Sequence, residues 1–298
     1  MFELIPRTHI DFMGHRFAVY GLSVLVVAVS LGSIATKGFN YSLEFTGGTL
    51  VQVTFEKAVD VGALRAKIDA EIPGVEIQSF AGGTSFSLRA KSEAALVAAA
   101  ATRMETAVKA AFPDNPVKVD RREFIGPVVG RHLFKQTVLA IILSLFGIIV
   151  YVAFRFENPV WGVAGVIALA HDVIGAAGLV SVTGKEFNLL VVAALLTIAG
   201  YSINDTIVVF DRMREKIRIM RKVALDQIIN ESINETFSRT IITVLTVLIV
   251  LVVLFFYGGE VIHDFAATLL FGTLIGTYSS IAVAAPLVDD WEKMGARK

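Results

Sequence analysis

Two carboxylates occupy surroundings that penalise them. Asp172 lies beside His171 near the middle of an apolar run at 159–182, and Asp205 interrupts a second run at 187–210. An aspartate at the centre of a membrane-spanning helix costs about 2.5–3.5 kcal/mol on insertion scales, so it persists only when paired, neutralised or turned towards a polar cavity. Asp205 falls within Ser202-Ile203-Asn204-Asp205-Thr206, the most polar five residues of any apolar run, and Asn204 joins the candidate set as its neighbour. At 1.5 Å per residue Asp205 stands about 8 Å inward from Phe210, the end of its run. Arg239 opens a later run at the same membrane face. Its stem can carry the guanidinium inward. Depth therefore allows an Asp205–Arg239 ion pair. A carboxyl whose charge is alternately answered and abandoned by such a partner can take up a proton from one side of a membrane and release it to the other. That is the chemistry of a proton relay.

Each residue also has a plainer reading. Arg239 serves equally as a helix-end anchor, and Asp172 as a hydrogen-bond partner between helices. His171 can titrate near neutral pH, or simply pack while bonded to Asp172. Soluble-enzyme chemistry has no footing. There is no HExxH, GxSxG or dinucleotide fingerprint, and Gly178 to Lys185 lacks the spacing and the Ser/Thr of a phosphate loop. The absence of cysteine excludes disulfides and thiol chemistry. A net charge of zero gives no support to nucleic acid as a partner. No cofactor and no metal are expected; the proton is the only coupling ion.

The elements that must position these groups follow from hydropathy. Of 298 residues, 55% are hydrophobic and 18% charged, where soluble domains carry about 25% charged. Six runs, at 17–36, 136–154, 159–182, 187–210, 240–259 and 265–288, are long enough to cross a hydrocarbon core. Such a crossing needs about 20 helical residues. Residues 33–35 resemble a signal-peptidase site, but the run before them is longer than the 7–15 residues of a signal core, so it reads as an anchor. Gly272 and Gly276, with Gly162, Gly165, Gly175 and Gly178, permit close helix approach. Orientation follows from basic residues in short loops. Arg7, Arg16, Arg155, the seven basic residues from Arg212 to Arg239, and Lys293, Arg297 and Lys298 lie on one side, against Lys185 on the other. Both termini are thus expected in the cytoplasm.

The remaining loop, 37–133, is then extracytoplasmic. Strands are expected at 49–55, 75–80, 84–88 and 117–125, with a turn at Gly82-Gly83 and helices at 61–72 and 92–112. The order βαββαβ is that of a ferredoxin-like split βαβ sandwich. The fold class expected is a polytopic α-helical membrane protein with six transmembrane helices and an α+β ferredoxin-like periplasmic domain. The expected divisions are a cytoplasmic N-terminus at 1–16, the first span at 17–36, the periplasmic domain at 37–133, a five-helix bundle at 134–288 and a cytoplasmic tail at 289–298. Within the bundle, 211–239 combines a basic lead-in with Leu225, Ile228, Ile229, Ile233 and Phe237 at helical spacing. It is expected as an amphipathic helix on the lipid bilayer surface, or as a plain topology determinant.

Six motifs, in order along nearly the whole chain, resemble the SecF family: FTGGT at 45–49, GPVVG at 126–130, His171-Asp172, GYSINDTIVVFDRMRE at 200–215, NESINETFSRT at 230–240 and IGTYSSI at 275–281. One departure is Glu44, where the family usually shows Asp. The resemblance implies the resistance-nodulation-division superfamily and the bacterial inner membrane. It implies a SecD partner, action beside the SecYEG translocon, often with YajC, and use of the proton motive force to draw preprotein across. It also implies that Asp205 and Arg239 match the family's proton-conducting residues, with a further essential carboxylate in SecD. Two alternatives stand beside it: half of another proton-driven transporter of that superfamily, or a non-conducting translocon scaffold.

Overall fold

The computed structural model describes residues 8–80, 83–90, 97–156 and 158–296. In chain order the elements are α1 (Arg16–Lys37), β1 (Asn40–Tyr41), α2 (Leu43–Thr46), β2 (Gly48–Phe55), α3 (Val61–Glu71), β3 (Glu76–Phe80), β4 (Ser85–Ala90), α4 (Val97–Ala111) and β5 (Val117–Ile125). Then follow α5 (Pro127–Arg155), α6 (Pro159–Thr183), β6 (Glu186–Phe187), α7 (Leu189–Ile219), α8 (Leu225–Tyr257), α9 (Gly259–Ser279), a π-helical stretch (Ser280–Ala284) and α10 (Ala285–Ala296). The chain divides into two compact units, Tyr41–Leu139 and the residues to either side of it.

Among the described residues six helices are long and apolar enough to cross a membrane: α1, α5, α6, α7, α8 and a last one, Ile262–Met294, that runs through α9, the π-helical stretch and α10. Their starts are written in the sequence. Asn158 caps α6 by accepting from the Val160 amide at 2.9 Å, with Pro159 in the first turn, and Asn188 caps α7 through the Val191 amide at 2.8 Å. Both side chains satisfy amides that a helix start leaves without partners. The apolar stretches of α6, α7 and the last helix are largely buried, while those of α1, α5 and α8 are mostly exposed.

Small residues set the helix spacing. A Cβ on Gly178 of α6 would lie 2.2 Å from the Ser30 Cβ of α1 and 2.7 Å from its Cα. Gly272 of α9 faces Ile198 of α7 in the same way, at 2.1 Å. At the end of the bundle that gathers the basic residues, Phe156, Trp161, Phe210, Met213, Ile229, Ile233 and Val288 form one apolar cluster.

Two expectations for this unit are corrected. Residues 211–239 are not a separate surface helix: α7 continues to Ile219 and α8 begins at Leu225. Ile229 and Ile233 are fully buried against Phe210 and Met213 instead of facing lipid. Their spacing is that of a core stripe, and amphipathicity alone does not say what covers it. Nor does 288 end the last helix, which continues through a fully buried Asp289. Arg7, Arg297, Lys298, Gly82 and the expected start of a helix at 92 lie outside the described residues.

In the other unit β2 is central, antiparallel to β4 on one side and β5 on the other, with β3 beyond β4, giving the order β3-β4-β2-β5. Alternation puts Val51, Val53 and Phe55 on one face, where they pack with Phe86, Leu88, Leu64, Ile68, Met104 and Val108 from β4, α3 and α4. Asp60 caps α3 through the Ala63 amide, and Arg122 of β5 pairs with Glu105 of α4. Gly47 and Gly48 have φ of +69° and +128°, conformations open to glycine. A Cβ on Gly47 would stand 2.9 Å from the Pro127 Cα, and one on Gly130 would stand 3.0 Å from the Gly47 amide nitrogen. Two motifs 80 residues apart in sequence are thus one close backbone contact.

Gly178→Ala is expected to cost about 1–3 kcal/mol, because backbone and not a flexible side-chain end stands in the way. Thermal unfolding of the purified protein in detergent reads this as a lowered midpoint. Gly32→Ala on α1, where nothing lies within 4 Å of the added carbon, should leave the midpoint unchanged or slightly higher.

Candidate functional site

Three helices of the bundle converge on the Asp172 carboxyl, which is fully buried. Its Oδ1 lies 2.8 Å from the His171 Nδ1 on the same helix. Its Oδ2 accepts from Ser202 Oγ of α7 at 2.5 Å and from Ser279 Oγ of α9 at 2.6 Å. Bonded to serines of two other helices through one oxygen, the carboxyl ties α6, α7 and α9 at one level. Gly276 makes the approach possible: a Cβ there would sit 3.2 Å from the Ser202 Cβ and 3.6 Å from Asp172 Oδ2. The His171 ring is tilted against Tyr278 at 6.3 Å, and the Tyr278 hydroxyl donates to the Val19 carbonyl at 2.9 Å, which joins α1 to the set. His171 Nε2 is buried without a partner.

Asp205 lies on α7 close to one turn beyond Ser202, 3% exposed, and its Oδ2 is buried with no hydrogen-bond partner. Four residues back, on the same face of the helix, the Tyr201 hydroxyl is also buried without a partner. Asp205 and Arg239 make no ion-pair contact within 4 Å, although the Arg239 charge acts on Asp205 from further off, and Arg239 is exposed. The reason is azimuth. Ile233, Thr236 and Thr240 turn inward, and at about 100° per residue Arg239 is carried roughly 60–100° around α8 from that stripe. Asn204 is exposed as well, one residue around from Asp205. The structure therefore brings His171 and Asp172 together with Ser202 and Ser279. It leaves Asn204 and Arg239 on faces that this chain does not cover.

Sequence reasoning missed Ser279 and gave Ser202 no role of its own. Tyr201 carried a signal, its i,i+4 relation to Asp205. A further charged cluster was missed at the basic end. Asp289 is held by Lys293 at 2.7 Å and lies 3.8 Å from Arg16, which is 3.3 Å from Asp290. The Tyr20 hydroxyl donates to Asp290 at 3.0 Å, and Trp161 Nε1 donates to Glu292 at 3.1 Å.

Comparison with known proteins places this arrangement. The family model described as protein export membrane protein SecD/SecF, C-terminal, matches residues 103–294, and the SecD/SecF GG motif matches residues 32–59. The chain belongs to the SecD/SecF family. It is similar to the protein translocase subunit SecF of Magnetococcus marinus, 45% identical over 288 residues that cover 95% of this chain and 92% of that protein. It is also similar to the SecF of Endomicrobium trichonymphae, 42% identical over 284 residues, 95% of this chain and 91% of the other. The crystal structure of SecDF from Thermus thermophilus, a translocon-associated membrane protein, superposes with a TM-score of 0.87 at 37% identity over 98% of this chain. This chain spans 40% of that SecDF chain. The pair Gly47-Gly48 lies in the family's GG motif, and both unpartnered groups of α7 lie in its C-terminal region. With its six apolar helices the family member is a multi-pass membrane protein.

Ser202→Ala and Ser279→Ala should each be mild, because the other serine still serves Asp172 Oδ2. The double variant should cost about 1–3 kcal/mol beyond their sum, since an acceptor buried without donors bears its full desolvation cost. Denaturation of the three variants in detergent checks this, and purely additive effects would count against a shared acceptor.

Proposed function

We propose that this chain is the SecF-type half of a proton-driven pair. With SecD it uses the proton motive force to promote passage of preprotein through SecYEG at the bacterial inner membrane, with YajC as a further neighbour. The observation that carries the reading is the Asp205 carboxyl, buried in the bundle with one oxygen unanswered, while Asn204 and Arg239 beside it point to the uncovered side. An ionisable group in such a place requires a partner or an aqueous path. A second helical half packed there would supply both. Asp205 is the carrier, Arg239 its counter-charge, and Asn204 lines the seam. Asp172 and His171 form the anchored side of the relay, through which a change at Asp205 reaches α6 and α9. Among relatives, the names of the SecF subunits and the greater length of SecDF support a SecD partner.

The Tyr41–Leu139 unit is a ferredoxin-like periplasmic domain on this reading, supported by a strand order that the split βαβ arrangement requires. Both termini are cytoplasmic, supported by Arg155, Arg212, Lys216 and Lys293 at one end of the bundle and Lys185 at the other. Each proton crossing 100 mV releases about 2.3 kcal/mol, enough to bias a two-state helix arrangement about fiftyfold. That bias moves or braces the partner's substrate-holding domain.

Asp205→Asn should abolish the proton-driven part of preprotein export in inverted membrane vesicles while SecD still copurifies. Export at the wild-type rate would remove Asp205 from the carrier role. Loss of copurification together with export would favour a scaffold, in which the buried charge only fixes helix packing.

A further inference from the structure

Residues 9–13, ahead of α1, lie along the first turns of α8. The Ile10 amide donates to Asn234 Oδ1 at 2.9 Å, and Asn234 Nδ2 donates back to the Ile10 carbonyl at 2.9 Å. One turn earlier, Asn230 Oδ1 accepts from the Phe12 amide at 2.8 Å and the Met13 amide at 3.4 Å, and its Nδ2 donates to Asp11 Oδ1 at 3.3 Å. Asn230 and Asn234 stand about 6 Å apart along α8, so Ile10 and Phe12 meet successive turns of that helix. Apolar contacts complete the strap: the Phe12 ring is 5.8 Å from that of Phe237, and Met13 is 5% exposed.

The neighbouring positions of α8 grip α7. Glu231 pairs with Lys216 at 2.5 Å, and Glu235 pairs with Lys216 at 2.8 Å and with Arg212. Asn230 and Asn234 thus hold the strap, Glu231 and Glu235 hold α7, and Ile229 and Ile233 fill the core. α8 cannot turn about its axis without breaking one of these sets. Arg239 follows Asn234 by five residues, about 7.5 Å along the same helix.

We propose that the 9–13 strap, read by Asn230 and Asn234, sets the azimuth of α8 and thereby aims Arg239, making both asparagines positioning residues for the relay. The inference rests on Arg239 acting as counter-charge to Asp205. An asparagine amide that binds main chain fixes the strap by geometry and leaves its side chains free to pack. The device holds Arg239 at a set angle although no hydrogen bond or ion pair among the described residues reaches its guanidinium.

The chain contains no cysteine, so an introduced pair can be joined selectively by a flexible, reducible bifunctional thiol reagent. Three variants are compared in membrane vesicles holding the full complex: N230A with N234A, I10P, which removes the amide that Asn234 accepts, and the asparagine double variant carrying F12C and F237C. Proton-driven export and the yield of copurified partner are measured in each, with Asp205→Asn alongside. The first two variants should lose about ten- to a hundredfold of the proton-driven component, the scale of an ångström-sized misplacement, with partner yield unchanged. Joining the cysteine pair with the reducible reagent should restore it, and reduction should remove it again. If Asp205→Asn abolishes the drive while the strap variants export normally, the strap inference is wrong and the relay stands. If the strap variants lose export only in proportion to lost complex, the segment is a structural brace and the inference fails. If Asp205→Asn exports normally, the relay reading itself falls, and the aiming role falls with it.

Discussion

A charge taken out of water must be answered by the protein, and this bundle is organised around how its two intramembrane carboxyls meet that demand differently. Asp172 is answered in full, by a histidine on its own helix and by serines from two others. The glycine opposite it exists in the geometry as the space that lets those serines arrive. Asp205 has no such set of partners among the described residues. Its second oxygen and the nearby tyrosine hydroxyl have no donor or acceptor of their own, on a chain whose α1, α5 and α8 leave long apolar faces uncovered. One carboxyl therefore anchors and the other is left available. The distinction follows from which helices reach each level of the membrane.

Charge pairing at the basic end has the opposite character. There Arg16, Asp289, Asp290 and Lys293 join α1 to α10, and Arg212 and Lys216 join α7 to α8. Many of these side chains are partly exposed, where single pairs contribute little, typically under about 1 kcal/mol. Their value lies in number and direction. They set helix rotation at the end where the apolar cluster of Phe210, Trp161 and Ile233 already sets helix distance. The fully buried Asp289 is the exception: a lysine one turn away holds its Oδ2, while its Oδ1 has no hydrogen-bond partner.

Much of this was legible in the residues. Apolar runs of about 20 residues marked each crossing because hydrocarbon tolerates little else. Alternation in 49–55 marked β2, the last strand expected at 117–125 is β5, and the isolated aspartates marked the candidate site. What stayed hidden was azimuth and distance in sequence. Counting residues gives the depth of Arg239 but not the side of α8 on which it stands, which depends on packing at Ile233 and Thr240. Ser279 lies 107 positions from Asp172, and an ordinary serine in a span gives no sign of its partner. Asp289-Asp290 looked like the end of a crossing because charge usually ends one; here the partners came from α1 and α10. The run at 211–239 misled for a related reason, since a one-sided apolar stripe looks the same against lipid as against another helix.

The π-helical stretch follows directly on Ser279. Hydrogen bonds reaching five residues back accommodate a surplus residue within the helix, and such insertions are frequent at functional sites. A surplus of this kind can slide. When it migrates by one position, the backbone it passes swivels by roughly a full residue step, about 100°, while the segments on either side keep their own ladders intact. The hydroxyl that holds Asp172 thus sits at the edge of a dislocation.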